Sequence, residues 1–423
     1  MSPIAHNPKL ALPFVDTVPA IARYAGMSDP QTGNPAECDD AHPDVERGGF
    51  AYEIVVASPR WVVNGVNVFS ENLLRGLRAR GVSAHLLLTG SSEGDVKPMA
   101  LPSDIPIHQL SVENVMGRRA RQERMIEYLK DRAPCIYIPN HDYEYSCIAP
   151  ELPSDVGVVS VVHSDHSQHY AYALHLGKFC NATVAVSQTI AANLASSDPD
   201  LATRLKIVSH GVPAESELRR PTRDRTGPLR ILYIGRLVEQ AKRVFDLPRI
   251  IEGLDRHGVP ATLTVVGDGS DRKKLESLSN PWVERGTIRF TGILSNREVA
   301  HELRNHDALI LTSEYEGFPL AVLEAMACGC VPVVTAIRSG IPELVRDGDS
   351  GYAVDVGDIE GFVERLAGLQ RDARLREQLS ARAFETLHQC ELTSEAMADR
   401  YIDLFDDIAG AKDVDLAEGT VRK

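Results

Sequence analysis

Short apolar runs rich in β-branched residues alternate with helical patterns along most of this chain. In the first half the runs are YEIVVAS, SAHLLLTG, CIYIPNH, VGVVSVVH and NATVAVSQ. In the second half they are ILYIGR, ATLTVVGDG, TIRFTG, ALILTS, VPVVT and YAVDV. Buried strands that alternate with helices are typical of parallel, doubly wound sheets. The sequence therefore predicts an α/β protein with two Rossmann-like domains that face each other across a cleft.

The domain boundaries are predicted from the points at which the alternation of strands and helices begins and ends. A polar and basic stretch separates the two series of strands and is predicted as a linker. The first residues of the chain are predicted as a disordered extension, because they are polar and rich in proline and glycine before the first strand. The parts are, in order, the extension at 1–48, a first domain at 49–213, the linker at 214–230, a second domain at 231–391, an amphipathic helix at 392–412 and a tail at 413–423.

Charge and cysteine content narrow the class of function and the compartment. The net charge of −14 argues against a nucleic-acid binder, which usually needs a basic face. The seven cysteines are scattered without a CxxC pair, which indicates small buried side chains in a reducing compartment. The apolar stretch near the N-terminus is short and broken by prolines, so no signal peptide is expected. We therefore expect a cytoplasmic protein.

The stretch EYEGFPLAVLEAMACGCVPVVT, Glu314 to Thr335, is almost free of charge but has an acid, Glu324, in its most apolar part. The strand ALILTS ends just before it, and Pro319 is favoured in the first turn of a helix. The stretch is therefore predicted as a loop, a helix from Phe318 or Pro319 to near Gly329, and a strand. It is too interrupted to span a membrane.

The start of this helix has the properties of a nucleotide site. Free backbone N–H groups of residues 317–320 attract phosphate. Helix side chains lean toward the N-terminus, so Glu324 points back to the same mouth, where Glu316 lies in the loop. Because a carboxylate repels phosphate, we expect Glu324 to accept hydrogen bonds from a ribose diol. The alternative, a glutamate that satisfies backbone groups in a buried turn, stays open at this point.

Two basic residues follow the first strand of the second series. In YIGRLVEQAKR, Arg236 and Lys242 are placed to meet a diphosphate from two sides, although a solvated helix start also explains them. The later block VVGDGSDRKKLE has glycines after a strand but lacks the G-x-G-x-x-G spacing of a dinucleotide site. This absence disfavours a nicotinamide dehydrogenase.

Together these blocks resemble the retaining glycosyltransferases of family 4, which have the GT-B fold of two Rossmann-like domains. Glu316 and Glu324, within EGFPLAVLEAMACG, are similar to the Glu-x7-Glu hallmark of that family. The blocks IGRLVEQAKR, VVGDGSDRKKLE, IRFTGIL, HDALILTSEYEGF and SGIPELVRDGDSGYAV follow in the family's order. VNGVNVFSENLLRGLRARG resembles its first glycine loop and helix. The resemblance covers roughly residues 51–410.

The resemblance implies roles for individual residues of this chain. In the first domain, His163 would lie at the donor sugar, and Gly65 would let the first loop approach the phosphate closely. In the second domain, Arg236 and Lys242 would hold the donor diphosphate, and Glu316 would lie beside the sugar. The implied catalytic residues are His163, Arg236, Lys242 and Glu316. The implied donor-binding residues are Gly65, Gly317, Phe318, Pro319, Leu320, Glu324 and, near the base, Ile293.

This chain departs from the family pattern at two loops. The first loop has Asn64-Gly65 where many members have two glycines. SHGV, which contains His210, stands where an Asn-Gly pair is usual. His210 is therefore expected to alter the cleft or the hinge. The resemblance also implies that the last helix crosses back to the first domain.

The expected mechanism uses no cofactor and no metal. The sequence places no acid clearly as a nucleophile, so we expect an oxygen of the donor's own phosphate to take the acceptor proton while the cations stabilise the leaving group. The histidine-rich HSDHSQHY, residues 163–170, invites a metal site as an alternative. It lies in a predicted loop without helical HxxxH spacing, so we expect this loop to face the acceptor instead.

The predicted function is the transfer of a hexose from a nucleoside-diphosphate sugar to a glycan or lipid-linked saccharide, in polysaccharide or glycoconjugate biosynthesis. Two other functions stay open, a sugar-nucleotide epimerase of the same fold and a non-catalytic sugar-nucleotide-binding protein. The segment 117–132 has six basic and three acidic residues, which permits peripheral contact with an anionic membrane at its inner face. A solvated helix face is the more common role of such a segment.

Overall fold

The computed structural model of the protein describes residues 52–90, 99–110, 117–140, 146–215 and 227–419, with side chains up to residue 410. The predicted extension at 1–48 and most of the predicted linker at 214–230 lie outside the described residues, so the prediction of disorder at 1–48 is untested.

In the described part of the chain, the first sheet has seven parallel strands in the order β3-β2-β1-β4-β5-β6-β7. Its strands are β1 (Glu53–Ser58), β2 (Ala84–Leu88), β3 (Ile107–Gln109), β4 (Cys135–Ile138), β5 (Val156–Val162), β6 (Ala182–Ala185) and β7 (Leu205–Ile207). Its helices are α1 (Gly65–Ala79), α2 (Arg118–Lys130), α3 (Ser167–Leu176), α4 (Gln188–Ser197) and α5 (Pro199–Ala202).

The second sheet has six parallel strands among the described residues, in the order β10-β9-β8-β11-β12-β13. Its strands are β8 (Leu229–Ile234), β9 (Ala261–Val266), β10 (Ile288–Gly292), β11 (Ala308–Leu311), β12 (Val331–Thr335) and β13 (Tyr352–Val354). The helices that follow β8 are α6 (Glu239–Lys242), α7 (Asp246–Arg256), α8 (Arg272–Glu284), α9 (Asn296–Asn305), α10 (Leu320–Ala327), α11 (Ile341–Leu344), α12 (Ile359–Arg371), α13 (Ala373–Gln389) and α14 (Ser394–Gly419).

The two Rossmann-like sheets confirm the predicted fold class. Strands such as β1 and β5 are nearly continuous apolar runs, and almost all of their residues are buried, as expected where helices cover both faces of a parallel sheet. One apolar cluster extends from the first domain, through Phe69, to Phe318 and Leu320 of the second. A second cluster fills the rest of the second domain. The domains therefore meet through apolar packing as well as through polar contacts.

The last helix, α14, crosses back and packs on the first domain, as the family resemblance implies. A Cβ built on Gly76 of α1 would lie 2.7 Å from the Cβ of Ala398, so the two helices approach closely because position 76 is a glycine. Tyr401 packs against Phe69, with ring centroids 6.0 Å apart. The hydroxyl of Tyr52 donates a hydrogen bond to Asp406 at 2.6 Å.

Three predicted boundaries are displaced by a few residues. Helix α14 ends at Gly419, inside the stretch predicted as the tail at 413–423. Strand β8 begins at Leu229, inside the stretch predicted as linker. Helix α10 begins at Leu320 and ends at Ala327, one turn shorter than the helix predicted from Phe318 or Pro319 to near Gly329. Pro319 has extended backbone angles and serves as the N-cap, while Gly329 adopts a positive φ of 62° after the helix.

Candidate active site

The carboxyl ends of the strands bring most of the predicted site residues to one cleft. His163 directly follows β5, Arg236 follows β8, and Glu316 lies in the loop after β11. Gly65 begins α1, which follows β1. In parallel sheets these ends share one edge, where ligands of such folds bind.

The two domains approach each other closely at Gly317. A Cβ built on Gly317 would overlap the carbonyl oxygen of His163, and it would lie 2.7 Å from the carbonyl carbon of His163 and 2.9 Å from Cα of Ser164. A Cβ on Gly65 would lie 3.8 Å from Cδ1 of Leu320, which is ordinary contact. The structure therefore brings Gly65 and His163 against the start of α10.

The N-terminus of α10 is left without a side-chain cap. Pro319, its N-cap residue, has no hydrogen-bonding side chain. Two hydrogen bonds fix the peptide group of Gly317 before it. The hydroxyl of Ser339 donates to the Gly317 carbonyl at 2.6 Å, and the N–H of Gly340 donates to the same carbonyl at 2.9 Å. A helix mouth of this kind attracts an anion through its N–H groups and its dipole.

Lys242 and Glu316 form an ion pair at this mouth. Their side chains are 17% and 12% exposed, and the hydroxyl of Ser313 donates a second hydrogen bond to Glu316 at 2.6 Å. The hydroxyl of Thr312 donates to the carbonyl of Lys242 at 2.7 Å, which ties α6 to the loop after β11. The sequence predicted both residues at the site but not their pairing.

Arg236 is exposed, and its guanidinium makes no hydrogen bond or ion pair with any described residue. Its backbone is held, because its carbonyl accepts a hydrogen bond from the hydroxyl of Tyr233 at 3.1 Å. The turn at Gly267 packs closely against Gly235, the residue before Arg236. A Cβ on Gly267 would lie 3.0 Å from the carbonyl carbon of Gly235, and Gly267 has a φ of +134°. The arginine is thus a positioned cation that is available to an anionic ligand.

Glu324 lies on α10, and burial raises the pKa of its carboxyl from the ordinary 4.5 to about 7. No group among the described residues donates a hydrogen bond to this carboxylate. The alternative that Glu324 satisfies backbone groups of a buried turn is therefore not supported by the described residues. A partly buried acceptor with no protein donor is available to ligand hydroxyls.

His163 and His210 lie side by side between the two domains. Nε2 of His163 lies 3.1 Å from Oδ1 of Asn140, and its Nδ1 lies 3.2 Å from Nε2 of His210. Nδ1 of His210 lies 3.1 Å from the carbonyl oxygen of Phe318 in the second domain. Burial lowers the pKa of His210 to about 4. Both ring nitrogens of His163, predicted to lie at the sugar, are thus within hydrogen-bond distance of protein atoms.

Ile293 follows β10 in a half-buried position. Close to it, Nδ2 of Asn296 donates a hydrogen bond of 3.2 Å across the cleft to Glu71 on α1. Arg75 also pairs with Glu71, at 2.9 Å, and burial raises the pKa of the Glu71 carboxyl. No sequence pattern predicts this bridge, because Asn296 and Glu71 belong to different domains.

The histidine-rich segment 163–170 was predicted as a loop, but only its first half is one, because α3 begins at Ser167. This first half is held by polar contacts. His166 caps α3 by accepting a hydrogen bond from the N–H of Gln168, and the hydroxyl of Tyr170 donates to Asp165 at 2.6 Å. Within the described ranges, no group of three or more His, Cys, Asp or Glu side chains is arranged to hold a metal ion. The ring of His166 lies 5.9 Å from that of Tyr315, which places this loop beside the cleft.

Helix α2 occupies most of the basic segment 117–132. Met125, Ile126 and Leu129 are buried against the first sheet, as their spacing predicts. Arg119 pairs with Glu151 at 2.6 Å and with Glu123 at 2.9 Å, so part of the positive charge is neutralised. None of the helices in the described ranges is long and apolar enough to span a membrane.

Comparisons with known proteins agree with this geometry. Residues 214–386 match the family model described as glycosyl transferases group 1. The chain is 35% identical over 169 residues to the N-acetyl-alpha-D-glucosaminyl L-malate synthase of Bacillus anthracis, which covers 40% of this chain and 43% of that protein. It is 33% identical over 187 residues to the glycogen synthase of Mycobacterium tuberculosis, which covers 43% of this chain and 44% of that protein. These matches span less than half of the length of each curated relative.

A solved structure shares the fold. The pneumococcal O-GlcNAc transferase GtfA, determined in complex with UDP and GlcNAc, superposes with a TM-score of 0.67 over 85% of this chain and 100% of that chain, at 10% identity. Likeness at this identity shows the GT-B arrangement of two Rossmann-like domains. The second half of the chain thus matches the group 1 glycosyl transferase model, and the two domains share the GT-B fold.

Proposed function

We propose that the protein is a retaining, metal-independent glycosyltransferase of the family 4 type, which transfers a hexose from a nucleoside-diphosphate sugar to a glycan or lipid-linked saccharide. One arrangement carries the proposal. Arg236 directly follows β8, Lys242 pairs with Glu316 in the loop that leads to the uncapped N-terminus of α10, and that helix holds a carboxylate, Glu324, that has no protein donor among the described residues.

The cations and the helix mouth suit a diphosphate. The guanidinium of Arg236 is free of partners among the described side chains, and it offers a planar fork that matches phosphate oxygens. Glu316 already pairs with Lys242 and offsets its positive charge. We therefore expect Arg236 and the helix dipole to neutralise most of the negative charge of a diphosphate. Lys242 then serves to orient Glu316 and to contribute an ammonium at close range.

Glu324 suits the ribose of a nucleotide. Its carboxyl accepts no hydrogen bond from the described residues, and burial, without a contribution from a nearby acid, raises its pKa. Two ribose hydroxyls would supply the missing donors and favour the ionised form. The base site, which the resemblance implies, is assigned to the backbone near Ile293, directly after β10.

The same contacts favour a mechanism without a protein nucleophile. Glu316 is the acid beside the proposed sugar site, and its carboxylate is engaged by the ammonium of Lys242 and the hydroxyl of Ser313. A retaining glycosidase would need a free carboxylate as nucleophile with a second one about 5 Å away. We therefore propose that an oxygen of the departing diphosphate accepts the acceptor proton, while Arg236 and Lys242 stabilise the leaving group.

The relatives support a sugar donor and a saccharide product. One is named for glycogen synthesis and one for the transfer of N-acetylglucosamine to malate, and a structural relative was solved with UDP and GlcNAc. We therefore propose that this protein also uses a nucleoside-diphosphate sugar as donor and acts in polysaccharide or glycoconjugate biosynthesis. Peripheral membrane contact through the basic face of α2 stays part of the proposal.

Thermal unfolding in the presence of sugar nucleotides tests this proposal. UDP-, GDP-, ADP- and dTDP-hexoses are added in turn to the full chain in excess EDTA. A ligand at a thousandfold excess over its Kd stabilises the folded state by about 4 kcal/mol, so one donor is expected to raise the Tm clearly. Arg236→Ala is expected to remove that increase. No response to any of the four, or an equal response in the variant, would reject the assignment.

The assay also separates the alternative functions. A donor that binds and is converted to an epimer without any acceptor would indicate an epimerase. A donor that binds and is never consumed, with any saccharide acceptor, would indicate a binding protein.

A further inference from the structure

A continuous line of polar atoms joins the two domains behind the cleft. It runs from Oδ1 of Asn140, through both ring nitrogens of His163 and both of His210, to the carbonyl oxygen of Phe318. The three separations are 3.1, 3.2 and 3.1 Å, all within hydrogen-bond distance. Each of the three gaps needs one proton if it is to be a hydrogen bond.

Both ends of the line are hydrogen-bond acceptors. The carbonyl of Phe318 cannot donate. The amide of Asn140 is oriented by its other contacts, because its Nδ2 donates to the carbonyl of Ala57 at 3.0 Å and to the hydroxyl of Ser70 at 3.2 Å. Ser70 in turn donates to the carbonyl of Val66 at 2.8 Å, so its lone pairs face the amide. A flipped amide would set two oxygens against each other at Ala57.

The number of protons follows from this arrangement. Two neutral imidazoles carry two N–H groups, which fill only two of the three gaps. A neutral pair would therefore leave two buried acceptors facing each other, and each such unsatisfied group is costly. One imidazole that carries both protons fills the third gap.

The extra proton belongs to His163. His210 must donate through Nδ1 to Phe318. An imidazolium at either ring would fill all three gaps, and burial, which lowers the pKa of His210 to about 4, favours the one at His163. Nε2 of His210 is then an acceptor, which requires an N–H at Nδ1 of His163. The Oδ1 of Asn140 requires another N–H at Nε2 of His163.

We propose that His163 is an imidazolium ion, held in that form by His210 and Asn140, and that it supplies a fixed positive charge to the bound sugar diphosphate. This inference rests on the proposed function for the identity of the ligand. His163 then acts by charge rather than by donating a ring N–H to the sugar. His210 is a positioning residue, which acts through His163.

The groups around the pair are compatible with such a charge. Phe69 of α1 packs against both rings, with centroids 4.8 and 5.1 Å away. These separations are within the range at which the face of an aromatic ring attracts a cation. The titratable groups carried by the neighbouring elements are Glu316 and Glu324 of the loop and helix beside Phe318, Asp165 and His166 of the loop after β5, Glu71 of α1 and Tyr401 of α14.

The charge is also linked to the arrangement of the domains. His163 and His210 belong to the first domain, whereas Phe318 belongs to the second. Separation of the domains would break the bond to Phe318, free Nδ1 of His210 and remove the need for the third proton. The cation is therefore a property of the closed cleft, where the diphosphate would lie.

Ring-15N-labelled histidine NMR on the full chain tests the inference without any ligand. Spectra are recorded at about pH 8, well above the ordinary histidine pKa of about 6.5. The resonances lost in His163→Gln identify the residue. The expected wild-type signal shows both nitrogens of His163 protonated. A His163 with a single N–H at that pH would overturn the inference.

Two substitutions of His210 separate the pairing from simple packing. His210→Gln has a carbonyl to accept from His163 and an amide N–H to donate to Phe318, so it is expected to keep the doubly protonated signal. His210→Phe fills the space but offers neither group, so His163 is expected to become neutral at about pH 8 and turnover to fall roughly tenfold relative to the Gln variant. Equal His163 signals in both variants would also reject the proposal.

The outcomes distinguish this inference from the function on which it rests. A neutral His163 in an active glycosyltransferase rejects the inference alone. A protein that turns over no sugar nucleotide rejects the proposed function, while the ligand-free spectrum still decides the state of His163.

Discussion

Gly317 lies against the backbone of His163, so that even one methyl group at position 317 would overlap the carbonyl oxygen of the histidine. The two residues belong to different domains and lie in direct backbone contact across the cleft. Gly317 also precedes the N-terminus of α10. The position of the second domain against the first is therefore fixed at the point where the proposed donor binds.

Gly317→Ala is expected to prevent this approach. Because the conflict is with backbone atoms, it cannot be relieved by a side-chain movement, and the domains must separate. We expect turnover to fall by about two orders of magnitude, as for a misplaced catalytic group. Gly368→Ala on α12 is the control, since a Cβ there meets nothing within 4 Å and alanine favours the helix. Equal turnover in both variants would contradict the account.

Lys242→Met is expected to impair the enzyme in two ways. It removes a cation from the proposed diphosphate site, and it leaves the partly buried Glu316 without its partner. We expect turnover to fall at least about a hundredfold and the free energy of unfolding to fall by about 1–3 kcal/mol.

The second change, Glu316→Gln, tests the pairing. In the double variant with Lys242→Met the uncompensated charge is gone, so the free energy of unfolding is expected to return most of the way while turnover stays low. Urea unfolding of the two single variants and the double variant measures this coupling. Strictly additive changes would show that the pair makes no contribution.

Glu324→Gln is expected to stabilise the ligand-free protein in a pH-dependent way. Burial raises the pKa of Glu324 from 4.5 to about 7, so between these values the folded state keeps a proton that the unfolded state has released. Wild-type stability therefore declines as pH rises through this window, by at most about 3 kcal/mol. The glutamine variant lacks this decline.

Unfolding in urea at about pH 5 and about pH 8 measures the difference. The advantage of Glu324→Gln over wild type is expected to be larger at the higher pH, and the variant is expected to bind sugar nucleotide more weakly. Glu364→Gln, at an exposed position on α12, is the matched control. An advantage that does not change with pH would argue against a buried carboxyl.

Removal of α14 is expected to unfold the first domain. The helix covers Phe69 through Tyr401 and holds Tyr52 through Asp406, so a chain that ends at Cys390 exposes apolar surface of the first domain. We expect loss of transfer and of the cooperative transition in circular dichroism. A chain that ends at residue 410 keeps these contacts and is the control. Full activity of the shorter chain would contradict the role of the helix.

Local patterns in the sequence were sufficient for the fold. Strand composition and strand–helix alternation predicted both sheets, and helical spacing predicted the buried side of α2 at Met125, Ile126 and Leu129. The two edge strands of the first sheet, β3 and β7, were not predicted. Other errors lie at the ends of elements, as at α10, where Pro319 was predicted inside the helix and instead lies just outside as its N-cap. Such ends depend on cap geometry that composition does not determine.

The contacts that define the site were beyond such patterns. Lys242 and Glu316 are 74 residues apart in sequence, and His163 and His210 are 47 apart. Whether such side chains meet depends on the positions of strands within a sheet and of one domain against the other. The resemblance named most of the residues, but it gave no sign of the ion pair or of the histidine pair, because His210 is a departure from the family pattern.

The central claim is tested most directly by the anomeric configuration of the product. The full chain is incubated in excess EDTA with the sugar nucleotide that stabilises it most and with a saccharide acceptor, and the anomeric proton is followed by NMR as the reaction proceeds. The account predicts acceptor-dependent release of nucleoside diphosphate and a first-formed product with the same anomeric configuration as the donor, with Arg236→Ala at least about a hundredfold slower. A product of inverted configuration, or a reaction that stops in EDTA and recovers with Mg²⁺ or Mn²⁺, would contradict it.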